Sequence, residues 1–323
     1  MSSFFRTPFF LYLNGINMFK NLYLLFILAA HSLACLGQEL NVDSLFHKGL
    51  QLFNNGEYNE SIKQYDIIIT AKPEAYIAYM DRGSAKKHKG DTNGALLDYS
   101  KAIELNPYDP QAYINRAIVN DQLGDFLAAL ADYDKIISIE PNVAITHFLR
   151  GMINMKLYRY DIALNDFDVA IQKEHFMEQA YFNRGIANHN LGKLELALQD
   201  YSKTLQLNPK NVRAYINRAN IQIELSLLDE AIVDLERAIY LNSDNTALYY
   251  NLGNVFQKQG DLIMAITTYN KVISLDENHT DAIFNRGSAK YSKENPTEAC
   301  LDWKKAADLG HSNAYSSLIR FCK

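Results

Sequence analysis

The chain has 323 residues, of which 48% are hydrophobic and 21% are charged. This length could form one large domain or two ordinary ones. The formal net charge of −5 and an isoelectric point near 5.9 exclude the basic surface that is typical of nucleic-acid-binding proteins. We therefore expect no nucleic-acid partner.

Residues 1–37 have the pattern of a secretory signal peptide. A basic start at Met18 precedes an apolar stretch over residues 22–30, and small residues follow before Gln38. The apolar stretch is shorter than the roughly 20 residues that a membrane-spanning helix needs. Met18 is a candidate for the true translation start. Cleavage before Gln38 would export the protein to the periplasm or cell envelope of a Gram-negative bacterium.

Cys35 leaves a second interpretation of this segment open, because residues 33–35 partly resemble a bacterial lipobox. Ser32 departs from that pattern, since lipoboxes usually carry an aliphatic residue there. A lipid on Cys35 would be the one route to a membrane partner. Residues 38–41 are predicted to be a short linker to the segment that follows.

A signature of the form aromatic-x-Asn-Arg-small returns every 34 residues, as in Tyr181 to Gly185 and Tyr215 to Ala219. A fixed period of this length predicts stacked units, none of which can bury its apolar face alone. The period divides residues 42–311 into eight units: 42–75, 76–109, 110–143, 144–177, 178–211, 212–245, 246–279 and 280–311.

Each unit predicts two helices, as residues 110–143 illustrate. Pro110 suits a first helical turn, and Gly124 suits the left-handed residue at a helix end. Asp125 then precedes a second helix, which Pro141 stops because proline disfavours helical geometry in the residue before it. Three units lack this proline, and we expect their second helices to run slightly longer; the residues in its place are His175, Ser243 and Glu277.

An Arg in the first helix of most units precedes an Asp in the second helix by 16 residues. Where the Arg is absent, as at Leu252, the Asp is absent too, as at Thr268. We interpret the pair as a bridge between the two helices rather than as a binding site. The predicted bridges include Arg116 with Asp132, Arg184 with Asp200, and Arg218 with Asp234.

The chain ends with two cysteines, Cys300 and Cys322, placed symmetrically about a predicted turn at Gly310. Residues equidistant from the turn of a helical hairpin face each other, so we predict a disulfide, with two buried free thiols as the alternative. Residues 312–323 are predicted to form a capping helix, because the last unit of a stack needs a cover for solubility.

The recurring pattern of aromatic, Gly or Ala, Ala, aromatic and Pro resembles the tetratricopeptide repeat (TPR) throughout residues 42–311. Residues 303–311 resemble its Sel1-like variant. The resemblance implies an all-α fold, a right-handed superhelical solenoid of eight helix-turn-helix units with a C-terminal capping helix. It also implies a non-catalytic protein–protein interaction scaffold, in which the first helix of each unit lines a concave groove.

The recurring polar residue on the predicted groove is Asn, with Asp81 in its place in the second unit and Leu149 in the fourth. An amide carries both a donor and an acceptor, so a column of amides can bind the backbone of an extended peptide whatever its sequence. The alternative is that these side chains contact local backbone or the neighbouring unit. The amides are Asn115, Asn183, Asn217, Asn251 and Asn285.

The residue before each of these Asn residues is apolar and could form a pocket for a partner side chain. Packing between units is the commoner use of such a column. The candidate pocket residues are Ile114, Phe182, Ile216, Tyr250 and Phe284.

The sequence thus predicts a protein or peptide partner bound in the groove, or alternatively a structural subunit of an envelope complex that assembles through convex or end surfaces. Charges along the groove are mixed, so the Lys/Arg cluster that clamps a C-terminal carboxylate in chaperone-binding TPR domains is missing. The eight His residues show no metal-binding spacing and no phosphate loop is present. We expect no enzyme activity, no cofactor, no metal and no small-molecule substrate.

Overall fold

The computed structural model describes residues 41–322, and this part of the chain is built from α-helices and short connections. The predicted signal peptide at residues 1–37, with Met18 and Cys35, lies outside the described residues. Between residues 41 and 322, no helix is both long and apolar enough to cross a membrane.

The helices come as eight consecutive pairs followed by one more, so the predicted all-α repeat architecture is confirmed. The bounds of the pairs are α1 Val42–Asn54 and α2 Tyr58–Ala71, α3 Tyr76–Lys89 and α4 Thr92–Leu105, α5 Pro110–Leu123 and α6 Phe126–Ile139, α7 Ala144–Lys156 and α8 Tyr160–Lys173, α9 Glu178–Asn190 and α10 Leu194–Leu207, α11 Val212–Glu224 and α12 Leu228–Leu241, α13 Thr246–Gln259 and α14 Leu262–Leu275, and α15 Thr280–Ser292 and α16 Pro296–Asp308; the last helix is α17 Ala314–Phe321.

The chain divides into two compact parts, of which the first ends at Val119 and the second begins at Asn120. From here on these two parts are called the first and second unit, and the eight 34-residue units of the sequence are called repeats. In the first unit, helices α1, α2 and α3 each pack against the next helix in the chain. In the second unit the same holds from α6 through α17. Each unit is therefore a stack of helix pairs, in which contacts run between neighbours in sequence.

Helices of one pair approach closely where a small residue of the first helix meets an aromatic ring of the second. A Cβ added at Gly185 would lie 2.9 Å from the ring of Tyr201, and one added at Gly253 only 2.6 Å from the ring of Tyr269. Such distances are closer than van der Waals contact allows, so any larger residue would force the ring to move. Ala219 occupies the same position over Leu235, a smaller side chain, and both are fully buried.

Second helices end at the same repeat position whether or not a proline follows, so the expectation of longer helices at His175, Ser243 and Glu277 is wrong. The residue after α8, Glu174, has φ −137° and ψ 91°, close to the −129° and 78° of Glu140, which does precede a proline. The chain must leave the helix there to reach the next one. Packing against the next repeat, rather than proline, determines where the second helix ends.

The turn inside each pair uses a left-handed residue. Glycine supplies it in several repeats, with φ of 90° at Gly260, for example. Tyr158, Ser226 and Glu294 adopt the same conformation with φ near 60°, although it disfavours residues that have a Cβ. The fold therefore imposes this turn on repeats whose sequence lacks the glycine.

Candidate functional site

The predicted groove amides occupy equivalent positions near the middle of the first helices, and all of them are half-buried. In the second unit, Asn183, Asn217 and Asn251 lie on α9, α11 and α13, the first helices of three consecutive repeats. The 34-residue period places them in register, because helices at the same repeat position share the same packing. They are accessible enough to contact a ligand.

The amides differ in how many of their hydrogen-bonding groups are already bonded within the protein. The amide nitrogen of Asn183 donates to the Gln179 carbonyl one turn earlier at 2.8 Å, which leaves its oxygen without a hydrogen bond within residues 41–322. Asn251 makes no side-chain hydrogen bond to any described residue. The amide nitrogen of Asn217 lies 3.4 Å from the Tyr201 hydroxyl, a long contact. These three positions keep hydrogen-bonding capacity for a ligand.

The two end members of the column are more committed. In the first unit, the Asn115 oxygen accepts from the Gln111 amide at 3.0 Å. Asn285 donates to the Tyr250 hydroxyl at 3.2 Å and to the Asn254 oxygen at 3.0 Å, so it joins α15 to the preceding repeat. The predicted alternative, contact with a neighbouring repeat, describes Asn285 better than ligand binding does.

Three of the apolar residues that precede these Asn residues pack inside the protein. The Phe284 ring stacks on His311 at the end of the same repeat, with centroids 4.2 Å apart, and Tyr250 lies 5.0 Å from His279, the residue that caps helix α15. The Arg213 guanidinium of the next repeat sits 5.0 Å over the buried Phe182 ring. Packing between helices therefore uses these three rings; the remaining two members, Ile114 and Ile216, are half-buried.

The structure brings Arg184 within 2.6 Å of Asp200, and Arg218 within 2.6 Å of Asp234. The Asp200 side chain is only 4% exposed, and Asn188 donates a second hydrogen bond to it at 2.9 Å. Burial raises the pKa of Asp200, while the hydrogen bonds from Arg184 and Asn188 act in the opposite direction. Further pairs of this kind are Arg82 with Asp98, Arg150 with Asp166, and Arg286 with Asp302.

Each of these arginines also reaches back to the preceding repeat, a contact that the sequence analysis missed. Nη1 of Arg184 lies 2.6 Å from Asp168 on α8, so one guanidinium joins three helices. We call this arrangement of Arg184, Asp200 and Asp168 the three-helix clasp. Its sequence signal is a polar residue 16 positions before the arginine: Asp66, Ser100, Asp134, Asp168, Ser202 and Asn270.

Arg116 and Asp132 belong to different compact units, so their predicted bridge stays a prediction. Within the first unit, Arg116 donates to the Ser100 hydroxyl at 3.0 Å. Asp132 is 2% exposed in the second unit.

The Cys300 and Cys322 sulfur atoms lie 1.99 Å apart, a disulfide bond that ties the end of α17 to α16. The rings of Trp303, Tyr291 and Phe321 pack together beside it. The last repeat is therefore held to its cap by both a covalent bond and an aromatic cluster.

One carboxylate of the groove column lies in a cleft of the first unit. Asp81, on α3, shares this cleft of about 200 Å³ with Tyr65, Tyr99 and Asn115. Burial raises the pKa of Asp81 to about 6, and the neighbouring Tyr65 hydroxyl offsets only part of that effect. Sequence reasoning noted Asp81 only as an interruption of the amide column.

Within residues 41–322, no group of three or more His, Cys, Asp or Glu side chains is arranged to hold a metal ion. The first helices of the described repeats thus offer hydrogen-bonding groups, aromatic rings and isolated charges. Such groups can bind a ligand by direct contact.

Sequence comparison identifies the repeats themselves. The family described as tetratricopeptide repeat matches residues 110–143, 178–211 and 247–279, and the family described as TPR repeat matches residues 83–124 and 223–260. No match to the chain was found among curated proteins.

Solved structures share the fold at low sequence identity. A tetratricopeptide repeat protein from Parabacteroides merdae is 23% identical, with a TM-score of 0.53 over 76% of this chain and 98% of that one. The C-terminal part of a TPR repeat-containing protein from Cytophaga hutchinsonii is 16% identical, with a TM-score of 0.60 over 84% and 99%.

A third structure is YrrB, described as a TPR protein with an unusual peptide-binding site. It is 23% identical, with a TM-score of 0.53 over 57% of this chain and 96% of YrrB. Likenesses at this level of identity support the fold alone. The repeat matches identify the family for the segments that they cover: residues 83–143, 178–211 and 223–279 consist of tetratricopeptide repeats.

Proposed function

We propose that the protein is a non-catalytic interaction scaffold, which holds an extended segment of a protein partner along the first helices of its repeats. The observation that carries this proposal is the partly unsatisfied row of Asn183, Asn217 and Asn251 in the second unit. An extended peptide presents a donor and an acceptor at each residue, and these amides can pair with both. Binding would then depend on backbone contacts at these positions, with selectivity coming from the side chains around them.

A binding assay with an arrayed library of random ten-residue peptides tests this proposal. We expect the variant Asn183→Ala/Asn251→Ala to bind the selected peptides at least about fivefold more weakly, because each of the two lost hydrogen bonds contributes about 0.5–1.5 kcal/mol. Asn165→Ala is the matched control, since Asn165 is exposed on the second helix α8. Failure of every peptide to bind, or equal binding by the double variant, would contradict the proposal.

The alternative function, a structural subunit of an assembly, is favoured by exposed apolar side chains on second helices. Val233 is 64% exposed, Ile263 60% and Leu301 64%. Light scattering separates the two functions. A defined oligomer that the double Asn variant leaves intact would favour assembly, whereas a monomer that binds peptides would favour the groove.

We further propose that the protein works in the periplasm or cell envelope. The proposal rests on the signal-peptide pattern of residues 1–37, and the disulfide between Cys300 and Cys322 supports it because such bonds persist in oxidising compartments. Fractionation of cells that express the full chain tests it. Recovery of the protein in the cytoplasm, with both thiols free, would contradict it.

A further inference from the structure

The cleft around Asp81 lies in the first unit, between the first and second helices of its repeats. Phe53, Tyr65 and Tyr99 line it with aromatic rings, and Asp81 and Asn115 add polar groups. Its volume of about 200 Å³ is below the roughly 300–1,000 Å³ of pockets for drug-sized ligands. The cleft therefore suits a single side chain of a larger partner.

Asp81 stands in this cleft without a cation to balance its charge. Within residues 41–322, no Lys, Arg or His side chain forms a salt bridge with its carboxylate. The Tyr65 hydroxyl, which interacts with the carboxylate, is neutral. Near neutral pH the half-buried carboxylate is ionised, partly desolvated and without a salt bridge, which is an unfavourable state for a charge.

Two basic residues of α3 are engaged elsewhere. Arg82 bonds to Asp66 at 2.6 Å and to Asp98 at 2.7 Å, and Lys86 lies 2.8 Å from Asp98. The Arg82 guanidinium and the Lys86 ammonium are therefore paired with carboxylates other than that of Asp81.

The other basic residues of the cleft do not neutralise Asp81 either. His88 Nδ1 bonds to the Ser84 carbonyl at 2.9 Å, and its ring packs against Phe53 at 4.9 Å. Lys87 lies six residues after Asp81, which is about 240° around the helix, so it borders the cleft from a different side.

The other repeats show which residue type is common at the position of Asp81. Five of them carry Asn there, an uncharged side chain of the same shape. An Asn at position 81 would avoid the unfavourable burial of a charge. A carboxylate that lowers stability at a groove position is a reason to look for a ligand that compensates it.

We propose that this cleft binds the guanidinium or ammonium group of a basic side chain in the partner segment, with Asp81 as its counterion. The inference rests on the proposed function, since the basic side chain belongs to the extended segment held in the groove. The aromatic rings around the carboxylate strengthen the binding, because a cation is attracted to the face of an aromatic ring. The Asn115 amide oxygen, which accepts one hydrogen bond from Gln111, has a second lone pair that can accept from the bound cation.

Titration of the full protein with short blocked peptides, followed by amide NMR shifts, tests this inference. The probes are acetylated and amidated Gly-Gly-Arg-Gly-Gly and the same peptide with citrulline, a neutral analogue, in place of arginine. We expect the arginine peptide to bind at least about tenfold more tightly, because hydrogen bonds to charged groups are the strong ones. The shifts should concentrate at Ser84, Tyr99 and Asn115.

Three variants sharpen the test. Asp81→Asn should remove the preference for arginine, and Lys87→Gln should increase affinity by removing a repelling charge. Asp308→Asn removes an equal charge from an exposed position at the end of α16 and should change nothing. A thermal melt of each variant confirms that it is folded.

The outcomes separate this inference from the proposed function. Equal binding of the arginine and citrulline peptides, or a preference that survives Asp81→Asn, overturns the inference. If library peptides still bind and depend on Asn183 and Asn251, the proposed function stands without it. Tighter binding of the corresponding Glu peptide also overturns the inference, because Lys87 would then determine the charge preference.

Discussion

At the scale of single residues, Asp81 has a consequence for stability that is independent of any ligand. Its pKa is about 6 in the folded protein against an ordinary 3.8, so the folded state holds this proton at pH values where the unfolded chain has lost it. The free energy of unfolding therefore falls as pH rises from about 4 to 6. The loss amounts to at most about 3 kcal/mol.

Replacing Asp81 with Asn should remove this loss. We expect Asp81→Asn to be about 1–3 kcal/mol more stable than the wild type at pH 7.5 and nearly equal to it at pH 4. Urea denaturation at both pH values measures the effect, with Asp308→Asn as the control. A variant that is less stable at pH 7.5, or whose stability depends on pH as strongly as that of the wild type, would show that the carboxylate is not penalised by burial.

The sequence could locate the groove residues but could not assign their roles. The 34-residue period placed Asn183, Asn251 and Asn285 in one column, yet Asn285 is used between repeats while Asn251 is free of side-chain hydrogen bonds to described residues. The difference depends on whether a neighbour such as Tyr250 reaches the amide. Such distances arise from packing and cannot be derived from spacing.

At the scale of the helices, the three-helix clasp fixes the register of successive repeats. The sequence predicted the Arg184–Asp200 pair from co-occurrence, but not the contact to Asp168, because that residue is replaced by Ser or Asn in other repeats. Repeat seven supports the interpretation of these residues as one structural set. There Leu252 and Thr268 stand at the positions of Arg184 and Asp200, and Phe256 stands at the position of Asn188, which also bonds to Asp200. An apolar set can substitute for a buried ion pair when the whole set changes.

The difference in burial predicts that Asp200 contributes much more than Asp168 to the free energy of unfolding. Asp200→Ala should lower the free energy of unfolding by about 3–5 kcal/mol, because it leaves the Arg184 guanidinium without its buried partner. Asp168→Ala should lower it by about 1 kcal/mol or less, because the Asp168 side chain is 58% exposed. Chemical denaturation of both variants and of Arg184→Ala makes the comparison.

A double-variant cycle provides the control for the clasp. The coupling of Arg184 with Asp200 should exceed its coupling with Asp168. Equal couplings would mean that exposure does not determine the contribution. The structure also shows that a simple exchange of Arg184 and Asp200 would be a poor test, since an aspartate at position 184 would face Asp168.

At the scale of the whole molecule, the fold was predictable because it repeats. A signature that recurs in register determines helix pairs and their order, since each pair must bury its apolar face on the next. The expectation of longer helices at His175, Ser243 and Glu277 failed for the same reason: the neighbouring repeat ends the helix whether or not the local sequence contains proline. A local sequence signal such as proline therefore does not predict the end of a helix where packing between repeats determines it.

Nearest-neighbour packing also predicts that damage at one end stays local. Removing the disulfide with Cys300→Ser/Cys322→Ser should reduce the stability of the last repeat and its cap by about 3 kcal/mol, as expected for a loop closed over 22 residues. Hydrogen exchange should accelerate in α16 and α17 but not in α7 to α10, which contact only their own neighbours in the stack. A reductant should have no further effect on this variant. Uniform loss of protection from α7 to α17 would mean instead that the second unit unfolds as one cooperative body, and that its repeats are not independent in energy.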